Sequence, residues 1–241
     1  MGGSPISSES KKTKPLSNDN YQTDYAPNYD PELFHAAMVA DPGPFDLKID
    51  SSTIHGTIPH ALRGWTYLCN GPSRLAWDNR TIHPFDGHGY LRAFHFDEDG
   101  QVLIRARYIQ TPAFKAEEES KTIVYNGLAT LAAQPGERGW RRINRNAPGP
   151  RNVANTTVYA WGDSLLAGWE GGLPYALDPM TLETLGPAQF NGELENGEAF
   201  LAHVRFDNKQ NRIIGVSPVM GPKTTLTFRE FDANNALASK K

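Results

Sequence analysis

Cysteine is nearly missing from this chain: among 241 residues, Cys69 stands alone. A lone thiol forms no intrachain disulfide and excludes zinc sites built on CxxC pairs. Set in "TYLCNG", it is expected to be a buried strand thiol; a catalytic thiolate would need a neighbouring base, and the sequence reveals none. Long apolar runs are also missing, so no segment reads as a bilayer span. The N-terminal "MGGSPISSESKKTKPLSNDN" has no apolar h-region, so no secretory leader is read and the cytoplasm is the default expectation. Neither sign of charge dominates: 24 Lys and Arg face 27 Asp and Glu, for a formal net charge of -3. That balance gives no electrostatic case for nucleic acid. The one basic run, "RGWRRINR" (Arg138 to Arg145), reads as a solvated loop. G-x-S-x-G, P-loop, G-x-G-x-x-G and H-E-x-x-H signatures are absent. The paired glycines of "WEGGLP" precede no strand-to-helix transition, so they are not read as a phosphate cradle.

What is present is a β pattern rich in turns. Hydrophobic residues make up 39% of the chain, enough for a core, and 22 Gly with 18 Pro imply many turns. Residues 1–30 are polar and patternless and are expected to be a disordered tail. Residues 31–48 form a lead-in whose "DPELFHAAMVA" suits a short helix, with Asp30 as N-cap and Pro31 at N1. From 49 to 241 strands dominate. "RGWTYLCNG" reads as a strand ending in a turn. "GYLRAFHFDEDGQVLIRARYIQ" alternates apolar and polar residues on both sides of "DEDG", which marks a hairpin. "TTVYAWGDSLLAGWE" repeats the device at Gly162-Asp163, and "PYALDPMTLETLG" adds a strand and turn. "AFLAHVRFDNKQNRIIGVSPV" predicts a third hairpin and "TTLTFREFDANNA" begins a fourth, with "ANNALASKK" read as a polar tail. No long helical pattern follows residue 50. The fold class is all-β: sandwich, barrel or propeller. No WD or kelch self-repeat chooses among them.

Histidine is the residue type with chemical interest. "TIHPFDGHGYLRAFHF" carries His83, His88 and His95. On an extended strand His88 and His95 point to opposite faces, which argues against one shared metal. They are expected to be turn and surface imidazoles. "FDGHG" reads as a backbone device, in which Asp86 bonds nearby N–H groups. His203, in "FLAHVRFD", sits between Ala202 and Val204 on a predicted strand. By pattern it is either a core histidine with satisfied ring nitrogens or a metal ligand.

Four stretches in order carry a resemblance. "LCNGPS" precedes "HPFDGHGYLRAFHF", followed by "NVANTTVYAWGDSLLAGWEGGLPYALDPMTLETLG" and "AFLAHVRFD". They resemble the carotenoid cleavage oxygenases, in which R-N-G-P precedes F-D-G-D-G, then A-N-T-N-V, W-E-G-G-x-P, L-D-P-x-T-L-E-T-L-G and T-A-H-P-K-x-D. The likeness covers about residues 50 to 232. His88 stands where the family has Asp, Cys69 where its R-N-G-P turn has Arg, and Val204 where A-H-P has Pro.

The resemblance implies a seven-bladed β-propeller, of which this chain is the N-terminal part. It implies one Fe(II) held by four histidines, and a reaction of O2 with a conjugated C=C bond of a carotenoid or apocarotenoid that gives two carbonyl products. Imidazole suits divalent iron, and four neutral ligands leave positions open. Carried over, His203 matches the first iron ligand, and Glu170 in "WEGG" matches a carboxylate that orients a ligating imidazole; read without the resemblance, Glu170 is a solvated strand-end charge. The three histidines of the "FDGHG" region match no ligand position. An apolar polyene and O2 are the implied partners, and the likeness leaves room for peripheral membrane contact and for a completing C-terminal polypeptide. Three further ligands would have to come from outside these 241 residues. The competing expectation is therefore a catalytically incompetent propeller fragment, serving at most as an apolar-ligand or protein-binding module. The isolated chain is expected to carry no iron.

Overall fold

Alternation of apolar and polar residues, broken by Gly, Asp and Asn, builds short antiparallel strands throughout the part of the chain that the structure describes. That part is residues 41–77, 80–130, 151–219 and 221–241, together with Glu32 and Ala36. The structure is a computed structural model. The expected tail, most of the lead-in helix and the "RGWRRINR" run lie outside the described residues.

Three four-stranded antiparallel sheets result, none closed into a barrel. The first comprises β1 (Phe45–Lys48), β2 (Thr66–Ser73), β5 (His88–Phe96) and β6 (Val102–Tyr108), in the order β1-β6-β5-β2. A two-stranded ribbon, β3 (Ala76–Trp77) with β4 (Arg80–Thr81), lies between β2 and β5 in sequence. The second sheet is a meander of β7 (Thr157–Trp161), β8 (Ser164–Gly168), β9 (Tyr175–Leu177) and β10 (Thr184–Pro187). The third is a meander of β11 (Arg205–Asp207), β12 (Arg212–Val219), β13 (Thr225–Asp232) and β14 (Leu237–Lys240).

The hairpins fall where the turn chemistry places them. At the β5–β6 turn, Asp97 Oδ1 accepts the N–H groups of Asp99 (3.0 Å) and Gln101 (2.7 Å), and Gly100 takes φ 83°. At the β7–β8 turn Gly162 takes φ 57°. Both glycines adopt the left-handed region that a Cβ penalises.

Several expectations are corrected. Residues 45–48, read as lead-in, supply the outer strand β1, paired in register with β6. "LCNGPS" holds no turn: Gly71 to Ser73 continue β2 and pair with Tyr90 to His88 of β5. Residues 237–240, read as a polar tail, form β14 against β13. A nine-residue helix, α1 (Pro112–Ser120), occurs where no helix was read. Thr111 caps it by accepting the Phe114 N–H at 3.1 Å, and Pro112 stands at its first turn.

Two apolar layers join the sheets. Leu91 and Ala93 of β5 meet Leu165 and Ala167 of β8 and Leu177 of β9. The next residue along, Leu166, faces the other way and packs with Phe200, Ile213 and Phe231. Period-two alternation in β8 thus lets one strand serve both layers. Phe200 fits because Gly215 is bare: a Cβ there would lie 1.9 Å from Phe200 Cζ.

Candidate functional site

The edge strands β2 and β7 and the segment leading into β11 adjoin one another. The Asn70 amide of β2 donates to the carbonyls of Ala154 (2.8 Å) and Thr157 (3.0 Å). Thr157 Oγ1, at the start of β7, donates to the Ala202 carbonyl at 3.0 Å. Gly168, opposite Thr157 in the β7–β8 register, has no room for a side chain: a Cβ would lie 2.8 Å from Thr157 Oγ1 and 3.1 Å from Ala202 Cα.

His203 and Glu170 meet at this junction. Glu170 lies in the turn after β8, and the motif "WEGG" accounts for its placement. A Cβ on Gly171 would strike the Trp169 ring (2.5 Å), and one on Gly172 would strike the Asn152 amide (2.4 Å). Both glycines therefore let the turn fold tightly onto its neighbours. Asn152 fastens the turn by donating to the Leu173 carbonyl at 2.8 Å. Glu170 Oε1 bonds to His203 Nδ1, and Glu170 Oε2 accepts the Ala202 N–H at 3.3 Å. The His203 ring, expected on a buried strand, is instead on a non-strand segment before β11, with its side chain 66% exposed. Ala202 and Val204 are buried, and the residue between them points out. The Val204 N–H closes a three-residue turn onto the Ala202 carbonyl at 3.0 Å, with His203 at its apex. With Nδ1 engaged by the carboxylate, Nε2 is the nitrogen left to bind a cation, the arrangement by which a carboxylate sets the tautomer of a ligating histidine.

The other described histidines of the sequence reading are placed elsewhere. His83 Nδ1 accepts the Phe85 N–H (3.2 Å) as the cap of a short 3-10 turn, and His95 Nδ1 bonds to Thr66 Oγ1 (2.9 Å). His88, expected at the surface, is fully buried. Its Nε2 lies 2.7 Å from Glu117 Oε2 of α1, which also accepts Arg151 Nη2 at 2.5 Å. Glu117 Oε1 takes the N–H groups of Val124 (3.1 Å) and Tyr125 (3.2 Å). Burial lowers the His88 pKa to about 4, with the Arg151 charge adding to the effect and Glu117 opposing it. For Glu117, burial works upward, but the contacts with His88 and Arg151 outweigh it and hold the carboxyl below its ordinary value.

Asp86 of "FDGHG" is a clamp on a distant loop. Its carboxylate accepts the N–H groups of Leu128 (2.6 Å), Ala129 (2.9 Å) and Thr130 (2.6 Å), a longer reach than the nearby turn bonds expected. The Asn155 amide closes the other side by donating to the Phe85 (3.1 Å) and Gly87 (2.7 Å) carbonyls. Cys69 lies on the edge strand β2, half-buried where a buried thiol was expected, and accepts from Arg92 Nη2 at 3.3 Å. Among the described residues no group of three or more His, Cys, Asp or Glu is placed to hold a metal. No described helix is long and apolar enough to cross a membrane.

The RPE65 family profile, described as retinal pigment epithelial membrane protein, matches residues 42–241. The apocarotenoid-15,15'-oxygenase of Synechocystis is 33% identical over 221 residues, covering 89% of this chain and 44% of the relative. The chloroplastic carotenoid cleavage dioxygenase 7 of Oryza sativa subsp. japonica is 31% identical, covering 77% of this chain and 37% of that protein. The crystal structure of cobalt-substituted Synechocystis ACO superposes with a TM-score of 0.76 at 32% identity, covering 88% of this chain and 44% of that one. The chain thus spans less than half the length of the relatives it matches. Over residues 42–241 it belongs to the RPE65 and carotenoid cleavage oxygenase family.

Proposed function

We propose that these residues form the N-terminal blades of a seven-bladed β-propeller, a non-haem Fe(II) dioxygenase. Its substrate is a carotenoid or apocarotenoid: the conjugated C=C bond and O2 together give two carbonyl fragments, so both oxygen atoms end in products. The single observation that carries the reading is the Glu170–His203 pair at the junction of β2, β7 and the β11 lead-in. The names of the matched oxygenases support the reaction class.

The residues present fit one corner of such a site. His203 offers Nε2 as a neutral ligand, and Glu170 holds the proton on Nδ1 and fixes the ring plane. Iron, when bound, supplies the oxygen chemistry that side chains cannot. The remaining imidazoles come from polypeptide outside the residues described. One exposed imidazole binds Fe(II) weakly, so the 241-residue chain alone is expected to purify without stoichiometric iron and to leave an apocarotenal intact.

The test is a chimera in which residues 1–241 replace the matching part of the Synechocystis oxygenase. Reconstituted with Fe(II), it is expected to convert an apocarotenal to shorter aldehydes under O2, and His203→Ala is expected to abolish that conversion. Undiminished cleavage by the His203→Ala chimera would refute the reading.

A further inference from the structure

We propose that Thr157 is a positioning residue for His203, acting through the peptide groups of Ala202. The inference rests on the reading of His203 as a metal-holding imidazole, but its geometry is independent of that reading. Four links form a continuous path. Thr157 Oγ1 donates to the Ala202 carbonyl at 3.0 Å. The Ala202 N–H donates to Glu170 Oε2 at 3.3 Å. Glu170 Oε1 bonds to His203 Nδ1. The Val204 N–H closes the turn around His203 onto the same Ala202 carbonyl at 3.0 Å.

The Ala202 carbonyl already has Val204 N–H as a partner, so the Thr157 hydroxyl is not needed to satisfy a lone buried acceptor. What it adds is direction. A carbonyl held from β7 on one side and from Val204 on the other fixes the Ala202 peptide groups, and with them the N–H that engages Glu170. Ala202 itself is 1% exposed and rests on bare Gly168, so the link is anchored in the core although the imidazole is not. The consequence is that β7 sets which ring nitrogen of His203 carries the proton. Glu170 is exposed and would otherwise sample several rotamers. Pinned by the Ala202 N–H, it keeps Oε1 on Nδ1 and leaves Nε2 as an acceptor.

The test is long-range 1H–15N NMR of the imidazole rings in the 15N-labelled 241-residue chain. Spectra are recorded at successively higher pH until the ring signals no longer change. The His203 signals are assigned by their loss in His203→Gln. The Nδ1–H form is expected to dominate in the parent chain, the reverse of a free imidazole. Thr157→Val keeps the shape and removes the hydroxyl; it is expected to lower the Nδ1–H to Nε2–H ratio about fivefold, the worth of one hydrogen bond. Thr157→Ser restores the hydroxyl and is expected to keep the parent ratio, which separates positioning from loss of packing. Glu170→Ala is expected to collapse the preference. A parent chain dominated by Nε2–H, a Thr157→Val ratio equal to the parent's, a Thr157→Ser ratio as low as that of Thr157→Val, or no change in Glu170→Ala would each overturn the inference. None of these outcomes bears on cleavage by the chimera, so failure of the relay and failure of the metal reading are told apart.

Discussion

At the scale of single residues, the most consequential group outside the Glu170–His203 junction is the buried trio of His88, Glu117 and Arg151, each under 3% exposed. Together they tie β5, helix α1 and the strand-free segment before β7. A buried pair broken on one side leaves a charge without compensation, which costs about 3–5 kcal/mol. Glu117→Gln should therefore lower the urea midpoint sharply, whereas Glu118→Gln, at a half-exposed neighbour, should barely move it. Acid should act on the same trio. His88 is held neutral by burial, with its pKa near 4, while in the unfolded chain it titrates at its ordinary value of 6.5. Between those values the unfolded state binds the extra proton, so stability is full above about pH 6.5 and falls as the pH drops toward 4. The depressed Glu117 carboxyl acts in the same direction at lower pH. Urea midpoints measured from pH 7 to pH 4.5 should decline, and His88→Gln should flatten the upper part of that decline.

At the scale of elements, the β5–β6, β7–β8 and β9–β10 turns were legible because Asp, Gly and Asn mark turns by local chemistry. So was the direction of side chains along β5, since period two needs no tertiary information. Helix α1 was missed although "TP" before "AFKAEEES" is a cap signal: nine residues give too short a window for helical periodicity against a β background. β14 was missed because "LASK" is short and weakly patterned; Leu237, opposite Phe231, packs against a core cluster, a contact no local pattern reports. The Glu170–His203 contact spans 33 positions, and no local pattern reports such a distance. Only the likeness of "WEGG" and "AHV" to family stretches pointed to it, and the exposure of His203 ran against its strand-like flanks. His88 was misjudged because the partner that buries it, Glu117, sits in the unread helix. Glycine in mid-strand was likewise silent. Gly215→Ala would set a methyl against the Phe200 ring, and should cost about 1–3 kcal/mol by overpacking, measured as a lowered thermal midpoint with β-sheet circular dichroism retained at low temperature.

At the scale of the whole described unit, the middle sheet is covered on both faces, while the outer face of each of the other two is covered only in part or not at all. On the first sheet Leu47, Ile104, Phe94 and Tyr67 align across four strands, and Leu47 and Tyr67 are exposed. On the third, Leu226 and Phe228 are exposed opposite Pro218 and Val216. Open apolar faces of this kind bind hydrophobic dyes and promote association. Light scattering of the 241-residue chain should show mass rising with concentration, and Phe228→Lys should lessen the rise. These faces are where further sheets would stack in the proposed propeller, and the matched relatives, more than twice as long, have the chain length to supply them. The most direct measurement of the central claim is metal content. In the chimera with the Synechocystis oxygenase, plasma emission analysis after anaerobic Fe(II) loading should give about one iron per chain, falling to near zero in His203→Ala. Equal iron in the two proteins would mean that His203 holds no metal and would contradict the account.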